Sequence, residues 1–394
     1  SNGAPSCPVE EMVHPPLLRD SVADCAPTRV PWTNTVKSAV PVPSAGAWAA
    51  ALPVAVRHNN AATLRWRKDA PLNGMTDEYH TIKTGAGWID RTARGRVLLE
   101  GADGISFLQA LVSNDVARLA SGQGAYATYL TPQGRMIADL EAYIRPGGVL
   151  LDVTDGVAEA LATRLDLSVF SEDVRVSDVS ARLTELLVIG AGAAVSLANA
   201  FGVDSVSLEG LHELSQIEVE GGFIARAAES RLPSFKIIAR ADAHESLVNR
   251  LERAGIIHLS ETLVAALRVE AGRPLFGVDL STDTIPLEAG LLDRAISTSK
   301  GCYVGQEIII RILHRGGGRV ARRLALLDIT GAGVPASGTI LRRDDRDVGQ
   351  LTSVSQSPDG ASVIALGFVA RDSADLGREL LVAGVESGIA RVTG

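Results

Sequence analysis

Cys302 is the only cysteine beyond residue 25, and it stands in the run Lys300-Gly-Cys-Tyr-Val-Gly-Gln-Glu307, followed at once by Ile-Ile-Ile-Arg311. A thiolate is the reactive form of cysteine, and a neighbouring cation favours it. Lys300 therefore predicts a more reactive thiol than a buried structural cysteine carries. Gly301 and Gly305 flank the thiol and predict a shaped, tight loop, since glycine enters backbone conformations that other residues avoid. The competing reading is a small buried residue in a turn. An iron–sulfur cluster usually takes four protein ligands, mostly thiolates. With Cys7 and Cys25 far off in sequence and no C-x-x-C pair, Cys302 cannot by itself hold one. It can bridge to a partner, attack an electrophile or sense oxidation.

Two carboxylates form a second group of candidates. In Met136-Ile-Ala-Asp-Leu-Glu-Ala-Tyr-Ile-Arg145, period-two geometry places Met136, Ala138, Leu140, Ala142 and Ile144 on one face of a strand. Asp139, with Ile137, Glu141 and Tyr143, falls on the other. Asp139 thus leaves the apolar core and faces either a cavity or solvent. Glu270 continues a helical stripe through Leu263 and Leu267 and lies near the helix C-terminus, where the macrodipole disfavours negative charge. It needs a partner: a ligand with adjacent N–H donors, or an ion pair to Arg268 or Arg273. A basic cluster, Arg311, His314, Arg315, Arg319, Arg322 and Arg323, surrounds Gly316-Gly-Gly318. It suits an anionic ligand group or an acidic partner, or else is a solvated linker. No aromatic stacking pattern accompanies it, so direct nucleic-acid binding is not expected.

These residues must be carried by elements legible in the pattern. Four times a short β-rich run passes through an Asp or Gly turn into a helical segment: Arg96 to Val112, Val149 to Leu167, Leu186 to Phe201 and Lys236 to Ala254. The repetition predicts an α+β protein of related layers rather than one extended parallel sheet. Val188-Ile-Gly-Ala-Gly-Ala-Ala-Val195 resembles the opening of a dinucleotide-binding turn. Val195, however, stands where a small third residue is required. Beyond Gly318, runs such as Arg323–Ile329, Val348–Val354 and Val363–Val369 alternate with turn residues and predict a small all-β barrel or sandwich.

The chain has 394 residues, 46% of them hydrophobic, enough for two or three domains with real cores. Its formal charge of −8 argues against a general nucleic-acid-binding surface. The cysteine count fits a reducing compartment such as the cytoplasm, and no run reaches the ~20 apolar residues that span a bilayer. Residues 1–74 differ in kind, holding ten of the 17 prolines and three of the four tryptophans. Such density predicts a segment without a packed core, native or not, with Met75 as the expected natural start. The expected divisions are 1–74, a main α+β domain over 75–316 and a β domain over 317–394.

The cysteine run resembles the K-G-C-[YF]-x-G-Q-E signature of the YgfZ family, folate-binding relatives of the glycine-cleavage T-protein. Further similar stretches are Phe107–Val116, Tyr129–Gly134, Arg268–Pro274, Ile285–Leu291 and Val348–Ser353. The resemblance implies a ring of three subdomains around a central hole for tetrahydrofolate or a derivative, with a C-terminal barrel. It implies that Asp139 acts at the folate N10 side and that Glu270 binds the pterin; within the basic cluster, Arg311, which directly follows the cysteine run, is the residue expected to hold an anionic group of the cofactor. T-proteins usually carry a second acid just before the aspartate; here that position is Ala138. The motif residues Lys300, Gly301, Cys302, Tyr303, Gly305, Gln306 and Glu307 would then serve maintenance of iron–sulfur enzymes, among them ones that modify transfer RNA. The implied partners are transient iron–sulfur clients or assembly proteins.

Two functions follow from these residues. One is a folate-binding accessory factor for iron–sulfur assembly or repair. The other is a folate-dependent aminomethyltransferase or demethylase. Where T-proteins carry Tyr-Thr-Gly-Glu-Asp-Gly, the apparent counterpart is Arg231-Leu-Pro-Ser-Phe-Lys236. That substitution, with the intact cysteine run, points to the accessory factor.

Overall fold

The computed structural model describes residues 72–394, so the expectations for the tail lie almost wholly outside the described residues. Each of the four strand-to-helix pairs forms. Gly95–Glu100 leads into Gly104–Leu111, Gly148–Val153 into Ala158–Asp166, Leu183–Ile189 into Ala193–Phe201, and Ser234–Arg240 into His244–Arg253. They are divided between two open sheets. A five-stranded sheet runs in the order 124–130, 136–145, 148–153, 95–100, 175–178, and a six-stranded one in the order 257–258, 87–90, 183–189, 234–240, 222–227, 216–219. Every pairing in them is antiparallel except that of 87–90 with 257–258.

This topology removes the dinucleotide-binding alternative, because that fold needs a parallel sheet. Gly190 has a different job. Its φ is 150°, and a Cβ there would lie 2.2 Å from the Gly85 carbonyl oxygen. Two loops meet there backbone to backbone, so only glycine fits.

The third part is a closed barrel of strands 322–330, 363–370, 346–356, 340–343, 379–382 and 389–392. The protein is thus α+β with a six-stranded C-terminal barrel, as the pattern predicts. Helix Glu261–Glu270 packs against the barrel through Val269, which joins Ile364 and Leu366 in a small apolar cluster. A polar clamp fixes the contact. Arg268 donates to Asp279 at 2.6 Å, and the Thr352 and Ser353 hydroxyls donate to the other Asp279 oxygen at 2.5 and 2.7 Å. Among the described residues no helix is long and apolar enough to cross a membrane.

The two open sheets meet through charge. On strand Met136–Arg145 the apolar face is buried as its period requires, yet the opposite face is not solvated either. Lys236, from the six-stranded sheet, reaches Glu141 at 2.7 Å and Asp152 at 3.0 Å on the five-stranded one. In return Arg96 of the five-stranded sheet donates to Glu185 of the six-stranded sheet at 2.6 Å. Tyr143 and Arg94 complete the set, donating to Glu141 and Asp152 at 2.7 and 2.8 Å. Arg96, Asp152, Glu185 and Lys236 are all 1% exposed or less.

Glu141, Asp152, Glu185 and Glu229 thus gather around Arg94, Arg96 and Lys236, and among the described residues one Glu185 oxygen has no hydrogen-bond partner. Despite burial, Arg94 and Lys236 hold Asp152 well below the carboxylate range, whereas burial and then Asp152 push Glu185 up to about 7. An exposed glutamate titrates near 4.5, so folding binds a proton between that value and about 7. The stability supplied by protonated Glu185 is present below pH 4.5 and lost as the pH rises through 7. Thermal melts of wild type and Glu185→Gln between pH 5 and 8 are expected to diverge by up to about 3 kcal/mol, the wild type weakening with rising pH, since one pKa unit carries about 1.4 kcal/mol. Parallel curves would place the proton elsewhere.

Candidate functional site

At the edge of this ion cluster opens a pocket of about 470 Å³, part of it open to solvent. Arg94, Asp139, Glu141, Asp152, Glu229, Arg268, Arg273 and Arg294 supply its charge, with Tyr126 among the remaining lining residues. Every structural part but the barrel contributes. Tyr126 and Asp139 come from neighbouring strands of the five-stranded sheet, Glu229 from just beyond strand Gly222–Ala227, and Arg273 from the turn after helix Glu261–Glu270.

Asp139 is held by a short chain of contacts. Tyr126 pairs across the sheet with Glu141, so its hydroxyl reaches diagonally to Asp139, donating at 2.7 Å. The Arg294 guanidinium lies 4.0 Å from the Tyr126 ring centroid and donates to Glu213 at 2.6 Å. Burial raises the Asp139 carboxyl above the usual range, while the Tyr126 hydrogen bond, Arg94 and Arg294 oppose the rise. A pocket acid raised in this way is suited to hold and return a proton. Glu229 is its counterpart. Although burial works against its charge, Lys236 at 3.6 Å and Arg94 hold it down at about 2. It is an ionised carboxylate whose side chain accepts no close hydrogen bond among the described residues.

The other predicted residues are not in this pocket. Glu270 ends its helix half-buried, with Arg231 and Asp359 acting on its charge, and burial raises its carboxyl. The alternative ion pair is absent too, because Arg268 is turned to Asp279 and Ser353. Arg311 is exposed and donates to Glu307 one helical turn away at 2.5 Å. Of the rest of the basic cluster, Arg322 donates to Glu288 at 3.0 Å, and His314, Arg315, Arg319 and Arg323 are exposed.

The cysteine run is built differently from its expected form. The Lys300 ammonium is buried against helix Gly104–Leu111 and its exit, donating to the carbonyls of Gln109, Val112 and Asn114 at 2.6, 2.6 and 2.9 Å. It also lies 5.2 Å from the ring centroid of buried Tyr303. Directed inward, Lys300 is an anchor rather than an activator of the thiol, and the expectation of a thiol sharpened by Lys300 is corrected here. Burial pushes the Lys300 ammonium down to about 8, with Asp115 opposing. Gly301 has open space around it, whereas Gly305, at φ 83°, would bring a Cβ within 2.5 Å of the Thr131 carbonyl oxygen. Gln306 and Glu307 begin helix Gln306–His314. Between the two anchors Cys302 is exposed and free, which removes the buried-turn reading. Among the described residues no group of three or more His, Cys, Asp or Glu is disposed to hold a metal ion.

Pattern reading missed Arg94, Tyr126, Glu229 and Arg294. Glu141 alone left a signal, two residues from Asp139 on the same strand face. The others arrive from remote segments.

Comparison with known proteins agrees with the architecture. Residues 53–300 match the GCVT N-terminal domain, and residues 322–388 the glycine cleavage T-protein C-terminal barrel domain. Proteins named aminomethyltransferase from Listeria welshimeri and Nostoc sp. are 28% and 29% identical to the chain, each across 80% of it and across 87% and 85% of their own lengths. The crystal structure of glycine cleavage system aminomethyltransferase T from Bartonella henselae superimposes with a TM-score of 0.74, covering 82% of this chain and 89% of that one. At 23% identity that likeness is one of fold.

Lys300→Met is expected to cost about 3 kcal/mol, because three carbonyls lose a charged donor. The alkylation rate of Cys302 in the folded variant should change by less than about twofold, since the ammonium points away from it. A thiol slowed tenfold at unchanged melting temperature would return Lys300 to the role of activator.

Proposed function

The chain belongs to the GCVT-domain family of glycine cleavage T-proteins, and on that premise we propose that it binds a reduced folate of the tetrahydrofolate class in the pocket around Asp139. The activity that best suits this pocket is transfer of a one-carbon unit, of the aminomethyl kind for which the relatives are named. The observation that carries the reading is Asp139 itself, a half-buried acid of raised pKa lining a pocket of mixed charge. A reduced folate would supply the one-carbon carrier; the chain's residues bind, orient and manage a proton. Asp139 holds or returns that proton, with Tyr126 fixing its position. Glu229 has free lone pairs for adjacent N–H donors such as those of an aminopyrimidine edge. We assign it the acceptor role that the resemblance gives to Glu270, since Glu270 lies outside the pocket.

Titration calorimetry with 5-formyltetrahydrofolate tests this. Wild type should bind, Glu229→Gln should bind at least about tenfold more weakly, the usual loss of a charged hydrogen bond. Asp139→Asn should reduce aminomethyl transfer by about 100-fold or more, within the range a general acid contributes. Absence of any binding heat with wild type would end the reading.

The exposed thiol favours a second reading, an accessory role in iron–sulfur maintenance of the YgfZ kind. The support is its presentation: Lys300 and Tyr303 point inward and leave Cys302 on the surface. The relatives' names favour the transferase, so the thiol function stands second to it. Cys302→Ser should retain folate affinity and melting temperature yet fail to restore iron–sulfur enzyme activity in cells lacking their own YgfZ-type factor. The oxygen is a poor nucleophile and soft-metal ligand. Full restoration by the serine variant would remove this second reading and leave the transferase alone.

A further inference from the structure

The pocket contains four guanidinium groups, and three are already tied to carboxylates. Arg94 donates to Asp152 at 2.8 Å, Arg268 to Asp279 at 2.6 Å and Arg294 to Glu213 at 2.6 Å. Arg273 is the exception: among the described residues its side chain makes no hydrogen bond or ion pair. It is half-buried, and burial followed by the nearby Arg294 lowers its pKa below the usual arginine range, although the Glu213 and Glu229 carboxylates, neither in direct contact with it, oppose the fall. A cation withdrawn from water beside another cation is unfavourable unless an anion joins it.

The backbone that carries this group is well fixed. The Arg273 N–H donates to the Arg268 carbonyl at 3.0 Å, and the Arg273 carbonyl accepts from the Arg268 guanidinium at 2.7 Å. Pro274 follows and restricts the chain on the other side. A planar guanidinium on a fixed root offers two parallel N–H groups to a carboxylate. The basic cluster around Arg311, the expected anion holder, lies outside the pocket and partly in ion pairs of its own.

We infer that Arg273 is a specificity-determining residue, taking a carboxylate of the ligand's acidic tail and so selecting tail-bearing folates over pterins that lack one. This rests on the folate reading above and adds a preference that the reading does not contain. Arg273 is also distinct from the proton-holding Asp139 and from Glu229.

The test compares two ligands on wild type and Arg273→Gln by calorimetry: 5-formyltetrahydrofolate, which carries the glutamate tail, and 6-methyltetrahydropterin, which does not. The variant should lose at least about tenfold in affinity for the folate and stay within about twofold for the pterin, as expected when one charge-assisted, bidentate contact is removed. The folate affinity of wild type should also fall more steeply with added salt than that of the variant. Equal weakening for both ligands would make Arg273 a general pocket counter-charge, and unchanged folate affinity would remove it from the site; either overturns the inference. If Arg273→Gln does not fold, Arg273→Lys keeps the charge and loses the fork. It should then fall between wild type and the pterin-like limit for the folate only, and full wild-type affinity in it would overturn the bidentate contact. Failure of wild type to bind either ligand would fell the folate reading itself, a result distinct from all of these.

Discussion

Lys236 is the residue on which the arrangement of the two open sheets turns. Buried charge is costly unless it is paired and hydrogen-bonded, so sheets joined by ions have far less freedom of register than sheets joined by apolar contact. Here the pairing runs in both directions, Lys236 to Glu141 and Asp152, Arg96 to Glu185. Removing any one member would leave a charge with no water to receive it. The pocket lies on the rim of this cluster and shares Arg94, Glu141 and Asp152 with it. Site geometry and sheet packing are therefore set by the same interactions, and a ligand's charge is felt by the interior.

This dependence explains why the pocket is crowded with charge. Most of its groups are occupied: Arg94, Arg268 and Arg294 by carboxylates, Glu141 and Asp152 by Lys236. Three are held more loosely: Asp139 accepts from Tyr126 alone, Glu229 faces Lys236 at 3.6 Å, and Arg273 makes no hydrogen bond or ion pair among the described residues. They are one acid raised by burial, one carboxylate kept ionised by its neighbours, and one guanidinium that makes no direct ion pair among the described residues. A ligand able to satisfy all three needs N–H donors, a protonatable nitrogen and a carboxylate. Reduced folates combine these features.

The exposed thiol belongs to a separate region. Its loop is anchored on the exit of helix Gly104–Leu111 through Lys300 and against the Thr131–Gly134 turn through Gly305. That turn leads directly into the strand bearing Asp139. The two regions thus share a scaffold while differing in character, a pocket of mixed charge and a surface thiol. Lys236 enters the ion cluster, where it serves packing.

Local pattern was enough for the elements. The four strand-to-helix pairs, the barrel strands and the outward turn of Asp139 are all set by periods of two and 3.6 residues, which act between near neighbours. The cysteine run likewise stands out by composition alone. What the sequence by itself did not determine was partnership at long range. Lys300 sits two residues from Cys302, but its ammonium finds carbonyls some 190 positions earlier in the chain. Glu270 lies two residues from Arg268 and three from Arg273, yet neither pairs with it and the pocket excludes it. Glu229, Arg273 and Arg294 meet Asp139 only because the ion cluster brings two sheets together. A charged side chain several ångströms long, on a backbone whose neighbours are fixed by tertiary packing, can turn to any of several partners. The choice is made by desolvation and pairing in the folded interior, and local spacing carries no record of either.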